Sequence, residues 1–239
     1  MVETRDLAVV VGAGPGLGAA VAERFAAGGC SIALAARSAH HRDPILERIH
    51  GTGGHAQGFD CDTGNPTSVR TTFALIRKSL GDAAVLIYNA GSYAPGGILE
   101  LDPERFEVAW RANCYGGFLT AREVLPAMVK RRRGTILFTG ATASLRGGAR
   151  FAGLAVGKFG LRALAQSMAR EFAPQGVHVA HFVVDGQIGT PVARERQPER
   201  AAQTFLAPAA IAETYWQVHR QDSSAWSLEV DLRPHVESF

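Results

Sequence analysis

Short apolar segments and amphipathic segments alternate along almost the whole chain, and this alternation most constrains the fold. Leu7 to Gly12 is a run of apolar, mostly β-branched residues, typical of a strand that is buried on both faces of a sheet. Further strands are predicted at 31–36, 56–59, 84–88, 135–139, 177–183 and 228–232, with helices at 16–27, 66–80, 103–130, 151–173 and 209–219. Strands that alternate with helices require right-handed crossovers. The sequence therefore predicts an α/β fold, a doubly wound parallel sheet with helices on both faces.

The length and composition fit one globular domain. The chain has 239 residues without a linker or repeat, so we predict a single domain over residues 1–239. Hydrophobic residues make up 46% of the chain and charged residues 20%, enough for a large core beneath a polar surface. A net charge of +3 is too small to predict nucleic-acid binding. The basic run Lys130 to Arg133 is expected to be a solvated helix end, where the helix dipole favours cations.

Cysteine content and hydropathy predict a cytoplasmic protein. Cys30, Cys61 and Cys114 are an odd number of widely spaced cysteines, which favours free thiols in a reducing compartment over disulfides or zinc ligands. An apolar strand that starts at Leu7 leaves no room for a signal peptide, and no uncharged apolar run approaches the roughly 20 residues that span a bilayer. We therefore expect no membrane segment and no metal site.

Four glycines lie at the junction between the first strand and the first predicted helix, at positions 12, 14, 16 and 18. A turn without Cβ atoms lets the backbone approach a pyrophosphate closely, and the helix N-terminus attracts the anion. The G-x-G-x-x-G pattern fails because Leu17 takes its third position, whereas G-x-x-x-G-x-G fits Gly12, Gly16 and Gly18. The placement between strand and helix favours the dinucleotide-binding turn of a Rossmann fold over a simple tight connection. We predict that this turn, including Gly14 and Leu17, binds the cofactor.

The residues after the second strand indicate which dinucleotide binds. Folds that prefer NAD carry an acidic side chain there, about 20 residues beyond the glycine turn, to hold the ribose 2′-hydroxyl. This chain has Arg37 and Ser38 instead, and Arg37 is suited to pair with a 2′-phosphate. We predict NADP(H) as the cofactor, with NAD(H) and a merely solvated Arg37 as the alternatives. His40 and His41 do not form a metal-ligand pattern, and we interpret them as exposed loop residues.

The motifs, taken in order, resemble the short-chain dehydrogenase/reductase family along nearly the whole chain. Besides the glycine turn, the resemblance rests on Cys61-Asp62-Thr63, Asn89-Ala90-Gly91, Asn113, Lys158 and the segment Asp185 to Thr190. It implies that the cofactor is bound by Asp62, Thr63, Asn89, Ala90, Gly91, Lys158, Ile188 and Thr190. It also implies catalytic roles for Lys158 and for Asn113, which matches the family's structural and proton-relay asparagine.

Two departures from the family fall in the catalytic centre. The tyrosine position of the Tyr-x-x-x-Lys pair that ends at Lys158 is occupied by Leu154. The position of the family's carbonyl-polarising serine, 13 residues before Leu154, is occupied by Ala141. A phenol beside an ammonium exchanges a proton near neutral pH, whereas leucine does not at any pH. No shift of register supplies the phenol, because no tyrosine lies between Tyr115 and Tyr215.

The resemblance implies an NADP-dependent oxidoreductase of altered mechanism, acting on a small carbonyl, imine or hydroxy compound. Loss of a general acid typically costs about 10²- to 10⁴-fold in rate, which positioning of the reactants can outweigh. Candidate proton sources are Lys158, water held by Lys158 and Asn113, or one of the side chains of Tyr93, Thr142, Ser144 and Arg150. The alternative is a non-catalytic dinucleotide-binding subunit or redox sensor.

The helix predicted over 151–173 suggests an assembly. It carries only four charged residues, Lys158, Arg162, Arg170 and Glu171, so it is expected to be buried on more than one side, in the core or in a subunit interface. We predict a homodimer or homotetramer. The short segment from Pro191 to Ala207, where the family sets its specificity, predicts a comparatively open substrate pocket, and Glu229 to Pro234, which replaces the family's usual glycine-rich ending, receives no role from the sequence.

Overall fold

The computed structural model describes residues 5–236 and centres on a parallel sheet. Seven strands lie in the order β3-β2-β1-β4-β5-β6-β9, and each neighbouring pair is parallel. Their bounds are β1 Leu7–Val11, β2 Ser31–Ala36, β3 His55–Asp60, β4 Ala83–Tyr88, β5 Gly134–Thr139, β6 Val177–Val184 and β9 Glu229–Leu232. A short separate pairing joins β7, Gln187–Ile188, to β8, Phe205–Leu206. The inner strands are almost continuously apolar because both faces of the sheet are covered.

Helices connect the strands and cover both faces. They are α1 Leu17–Ala27, α2 Ala39–Gly51, α3 Pro66–Leu80, α4 Pro103–Trp110, α5 Gly116–Lys130, α6 Ala152–Phe172, α7 Pro191–Arg196 and α8 Pro208–His219. One apolar layer includes Phe25 of α1, Ile45 of α2 and Tyr215 of α8, and the other includes Phe73 of α3 and Leu161 of α6. The sheet thus separates two cores, as a doubly wound fold requires. Within residues 5–236, none of these helices combines the length and apolar character needed to cross a bilayer.

The predicted fold class is confirmed, but two helices, α2 and the short α7, were not predicted. The residues after β2, interpreted as a loop, belong instead to α2. Its apolar pattern is weak because Ile45 and Ile49 are its only buried apolar side chains, and Pro44 interrupts its sequence. Two isoleucines four residues apart lie on one helix face and anchor it to the core. His40 and His41 are exposed, as predicted, but they lie on this helix rather than in a loop.

The single helix predicted over 103–130 is divided into α4 and α5 by a π-helical turn, Arg111–Tyr115. Such turns widen the backbone spiral and often mark functional sites. This one carries Asn113, whose side chain is fully buried. The hydroxyl of Tyr88, at the end of β4, donates to Ala112 O at 2.6 Å and ties the turn to the sheet. The interruption therefore brings Asn113 to the loop that follows β4.

The basic run Lys130 to Arg133 ends α5 and is exposed, as predicted. Arg131 donates to Ala83 O, and Arg133 pairs with Asp6. These contacts hold the end of α5 against the amino-terminal edge of the sheet. The run therefore has a structural use within this chain.

Candidate active site

A cleft opens at the carboxyl ends of β1, β2 and β4. From β1 the chain runs outward to β2 and β3 and then returns to β4 on the other side of β1, so the strand order reverses here. Such a crossover leaves a crevice in which ligands bind. The cleft has a volume of about 630 Å³, and its lining includes the predicted Gly12, Gly14, Arg37, Asp62, Thr63, Asn89, Ala90 and Gly91. A second cleft of similar volume lies between the ends of α1 and α2, at the opposite edge of the sheet, and contains none of these residues.

The glycine turn is packed against protein from behind and open towards the cleft. Gly12 has φ of +87°, and a Cβ there would lie 2.6 Å from Ala90 Cα. The side chain of Asn89 also holds the backbone at Gly12, because its Nδ2 donates to Gly12 O at 3.0 Å. A Cβ on Gly18 would lie 2.5 Å from Gly12 O, whereas a Cβ on Gly14 would meet no atom within 4 Å. This is the shape that a phosphate-binding cradle requires.

The segment that follows β6 crosses the glycine turn. A Cβ on Gly16 would lie 2.5 Å from Thr190 Cγ2, so the threonine side chain packs against the glycine backbone. Thr190 also caps α7, because its Oγ1 accepts from Ala193 N at 3.1 Å. The side chains of Leu17 and Ile188, both predicted to contact the cofactor, pack against the core. Neither residue is among those that line the cleft.

Basic groups line the end of the cleft that follows β2. Arg37 and His41 both belong to its wall. The acidic Asp60, at the end of the neighbouring β3, is paired with the buried Arg42 of α2 at 2.7 Å. Asp62 is exposed, and its Oδ1 accepts from the backbone of the following turn at 3.0 Å. The wall next to β2 therefore presents the guanidinium of Arg37 and the imidazole of His41 to the cleft.

The predicted pair Asn113 and Lys158 lies together beside Gly91. A Cβ on Gly91 would be 3.0 Å from Asn113 Oδ1 and 3.7 Å from Lys158 Nζ. Asn113 Nδ2 donates to Ser92 O at 2.7 Å, and Ser92 N donates to Asn113 Oδ1 at 3.3 Å. Gly157 lets α6 approach this asparagine, because a Cβ there would lie 2.5 Å from Asn113 Cβ. Two polar side chains distant in sequence thus meet at the carboxyl end of β4.

Lys158 is a buried ammonium with a backbone partner. It is 6% exposed, and its Nζ donates to Thr139 O at 2.7 Å. Burial lowers its pKa from 10.5 to about 8, because desolvation disfavours the charged form. On the other side of Thr139, the buried Tyr215 donates its hydroxyl to Thr139 Oγ1 at 2.9 Å. An amine with a pKa near 8 is suited to exchange protons near neutral pH.

The two positions assigned to the lost serine and tyrosine flank this lysine. Leu154 lies about one turn before Lys158 on α6 and is half-buried. Ala141 precedes a 3-10 turn, Thr142–Ser144, and its backbone N–H donates to Ser144 Oγ at 3.1 Å. Neither the side chain of Leu154 nor the methyl group of Ala141 supplies a hydroxyl at these positions.

Two of the candidate replacement donors lie in that turn and face different ways. Ser144 is fully buried, and its Oγ lies 3.2 Å from Nε2 of the equally buried His181. Burial lowers the pKa of His181 to about 4, so its ring is neutral near pH 7. Thr142 is half-buried, and its hydroxyl donates to Asp185 Oδ1. Ser144 therefore supports the turn from inside, while Thr142 stays accessible.

The other two candidate donors lie on the rim. Arg150 pairs with Glu100, with Nη2 and Oε2 2.6 Å apart, and both side chains are exposed. The Tyr93 ring packs against Phe151 with 5.8 Å between ring centroids and is also exposed. Sequence reasoning did not identify the contact that Thr142 makes with Asp185, or Tyr88 as a support for Asn113. Neither has a local signal, because the partners are far apart along the chain.

The fold and the cleft define a dinucleotide-binding oxidoreductase class, and the chain belongs to the short-chain dehydrogenase family. The model of that family, described as short chain dehydrogenase, matches residues 6–201. Members of the family are NAD(P)-dependent oxidoreductases, consistent with a glycine cradle at the strand crossover. The family resemblance drawn from the motifs is thereby confirmed.

Individual relatives share about a third of their residues with this chain or fewer. The chain is 29% identical over 196 residues to the 3-oxoacyl-acyl-carrier-protein reductase FabG of Escherichia coli strain K12, covering 82% of this chain and 79% of FabG. A short-chain dehydrogenase from Rhodopseudomonas palustris is 36% identical, with a TM-score of 0.83 over 98% of this chain and 100% of that one. A metagenomic short-chain oxidoreductase in complex with NADP is 26% identical, with a TM-score of 0.85 over 97% and 98% of the two chains.

Proposed function

We propose that this protein is an NADP(H)-dependent oxidoreductase that acts on a small carbonyl, imine or hydroxy compound without a tyrosine acid. The observation that carries the proposal is the meeting of Lys158 and Asn113 beside Gly91. Gly91 lines the same cleft as Arg37, so the polar pair lies next to that cleft, which supports a single site. Burial of an ammonium costs free energy. A chain that only held the adenine half of a dinucleotide would gain nothing from that cost.

The residues of the cleft fit a dinucleotide. A Cβ at Gly12 or Gly18 would collide with neighbouring backbone, whereas a Cβ at Gly14 would meet no atom within 4 Å. The turn is therefore open at Gly14. When bound, the nicotinamide of the cofactor would supply or accept hydride. Arg37 and His41 favour a 2′-phosphate, and thus NADP(H) over NAD(H). The metagenomic relative was solved with NADP, which agrees with this preference.

We assign the role of proton donor in the reductive direction to Lys158. Leu154 has no exchangeable proton, and the lysine is the ionisable group that shares the Gly91 corner with Asn113. Its pKa of about 8 leaves both protonation states populated near neutral pH. In the reductive direction the ammonium would be the donor, directly or through a water held by Asn113. Reduction is therefore expected to slow as pH rises through about 8.

Turnover with NADPH tests the proposal. The panel would contain a 3-oxoacyl thioester, chosen because FabG is a relative, together with simple ketones, aldehydes and cyclic imines. Wild-type protein should oxidise NADPH with at least one class, and Lys158→Met should lose about 10²-fold or more of that rate. Lys78→Met, an exposed lysine of α3, is the matched control and should retain it.

Two results would count against this function. NADPH binding without turnover of any panel member would favour the alternative, a non-catalytic dinucleotide-binding subunit or redox sensor. Full turnover in Lys158→Met would contradict the assignment of the proton.

We also propose that the chain assembles as a homodimer or homotetramer through α5 and α6. Large apolar side chains are exposed on these helices: Val156 is 48% exposed, Phe159 41% and Phe118 39%. Exposed apolar surface of this kind is typical of interfaces between identical subunits. Light scattering after size exclusion should give a mass above 25.4 kDa, and Phe159→Glu should lower it. A monomeric wild-type protein would contradict the proposal.

A further inference from the structure

Thr142 is the accessible hydroxyl nearest to Ala141, the position assigned to the family's serine. It opens the 3-10 turn at the carboxyl end of β5 and is half-buried, whereas Ser144 of the same turn is fully buried. The turn packs against α6, the helix that carries Lys158. The partly exposed side chain of Thr142 can therefore contact a molecule that lies over this corner of the sheet.

The direction of the Thr142 hydroxyl is determined by its partner. Thr142 Oγ1 bonds to Asp185 Oδ1, and the other carboxylate oxygen, Oδ2, lies 3.5 Å from the guanidinium of Arg233. A carboxylate held in an ion pair only accepts hydrogen bonds, so the hydroxyl proton must point to Asp185. Within residues 5–236 no donor reaches Thr142 Oγ1. Its lone pairs are therefore available to a ligand.

The C-terminal segment builds this arrangement. β9 lies parallel to β6 with Val184 opposite Leu232, and Asp185 N donates to Leu232 O at 2.7 Å. The next residue, Arg233, is thereby placed beside Asp185, and it pairs with Asp231 as well. The segment that the sequence left without a role thus supplies the charge that holds the carboxylate.

We propose that Thr142, oriented by Asp185 and Arg233, accepts a hydrogen bond from a hydroxyl group of the substrate. The inference rests on the proposed function and narrows its substrate class to compounds that present an O–H donor, such as secondary alcohols and hydroxylated carbonyl compounds. A serine free to rotate donates to a carbonyl oxygen. Thr142 has already committed its proton to Asp185, so it recognises a donor instead. Thr142 and the two charged residues are thus specificity-determining and positioning residues.

The test compares an alcohol with its methyl ether. The probes are 2,2,2-trifluoro-1-phenylethanol and the corresponding methyl ether, whose binding is measured by ¹⁹F NMR to the cofactor-free chain and to its NADPH complex. The reduced cofactor allows no oxidation of the alcohol, so binding is measured without turnover. Wild type and Thr142→Ser should bind the alcohol about tenfold more tightly than the ether, the effect of one hydrogen bond. Thr142→Val should bind both equally.

Two further variants separate recognition from folding. Thr71→Val, an exposed threonine of α3, is the matched control and should keep the wild-type preference. Asp185→Asn should lose the preference even if Thr142→Val does not fold, because the amide can donate to Thr142 Oγ1 and occupy its lone pair.

The outcomes are distinct from those of the proposed function. Equal binding of alcohol and ether by wild type, failure of the alcohol to bind, or a preference that persists in Thr142→Val would overturn the inference. Absence of NADPH binding or turnover would instead contradict the proposed function, since the comparison of alcohol and ether is also made without cofactor.

Discussion

The two regions of the proposed site are built by different means. At the glycine turn, main-chain positions make the site: Gly12 and Gly18 leave no space for a Cβ. Beside the cleft, at the carboxyl ends of β5 and β6, side chains make the contacts: Lys158 donates to Thr139 O, and Asp185 accepts from the hydroxyl of Thr142. A Cβ added at Gly12 or Gly18 collides with backbone, whereas a substitution at the second region exchanges one polar side chain for another group. A site made by backbone is therefore the more constrained of the two.

The same contrast applies to the two positions that the family resemblance predicts for the serine and the tyrosine. They hold Ala141, which follows β5, and Leu154, which lies on α6. The glycine turn keeps its pattern because any other pattern would push the backbone away from β4. Four variants test the contrast, in order of decreasing expected effect.

Gly12→Ala should have the largest effect. The added Cβ would collide with Ala90, and φ of +87° is unfavourable for alanine. We expect a loss of NADPH affinity of at least about 100-fold and a free energy of unfolding lower by about 2 kcal/mol or more. Nicotinamide fluorescence and urea unfolding would measure these. Gly51→Ala, at the end of α2 with no atom near the added Cβ, should change neither; wild-type behaviour of Gly12→Ala would refute the cradle.

Placing a serine and a tyrosine at the two predicted positions should change catalysis without changing cofactor binding. Ala141→Ser combined with Leu154→Tyr is expected to create or raise ketone reduction by about 10²-fold or more, because a phenol beside Lys158 supplies a general acid. Cofactor affinity should stay near the wild-type value, since neither residue lies in the glycine turn. Steady-state assays with NADPH would measure both. A folded, cofactor-binding double variant that stays inert would mean that these positions are assigned wrongly.

Arg37→Ala should separate the two dinucleotides. Loss of a charge-assisted bond to a 2′-phosphate should weaken NADPH binding about 10- to 100-fold and leave NADH binding unchanged. The exposed Arg70 of α3 provides the control, since Arg70→Ala removes the same charge far from the cleft wall. Titration with each cofactor would measure the difference. Equal losses for NADPH and NADH would contradict the proposed preference.

The smallest of the four effects should be the pH dependence of stability that the buried Lys158 causes. Its pKa is about 8 in the folded chain, below its usual 10.5. Between these values the unfolded chain binds more protons, so the free energy of unfolding should rise with pH, by on the order of 1 kcal/mol per pH unit. Lys158→Met should flatten this rise in urea unfolding at pH 8 to 10. An unchanged slope would indicate that the ammonium is not desolvated.

Much of the fold was predictable because its signals are local. The buried strand at Leu7 and the glycines after it lie together in sequence, and the period of apolar residues distinguishes strand from helix. Helix α2 was not predictable in the same way, since Ile45 and Ile49 alone carry its pattern. The π-helical turn at Asn113 depends on a hydroxyl from Tyr88, on a different element. Local sequence does not encode such a partner.

The sequence by itself determined the order of strands and helices and the glycine turn, and it predicted which residues lie near the nicotinamide, with Leu154 at the position of the family's tyrosine. Only the tertiary structure decided which polar groups meet. Thr142 and Asp185 are 43 residues apart, and Arg233 is further still. They come together because parallel strands align their carboxyl ends at one edge of the sheet, a register that arises from packing between distant segments rather than from any local pattern.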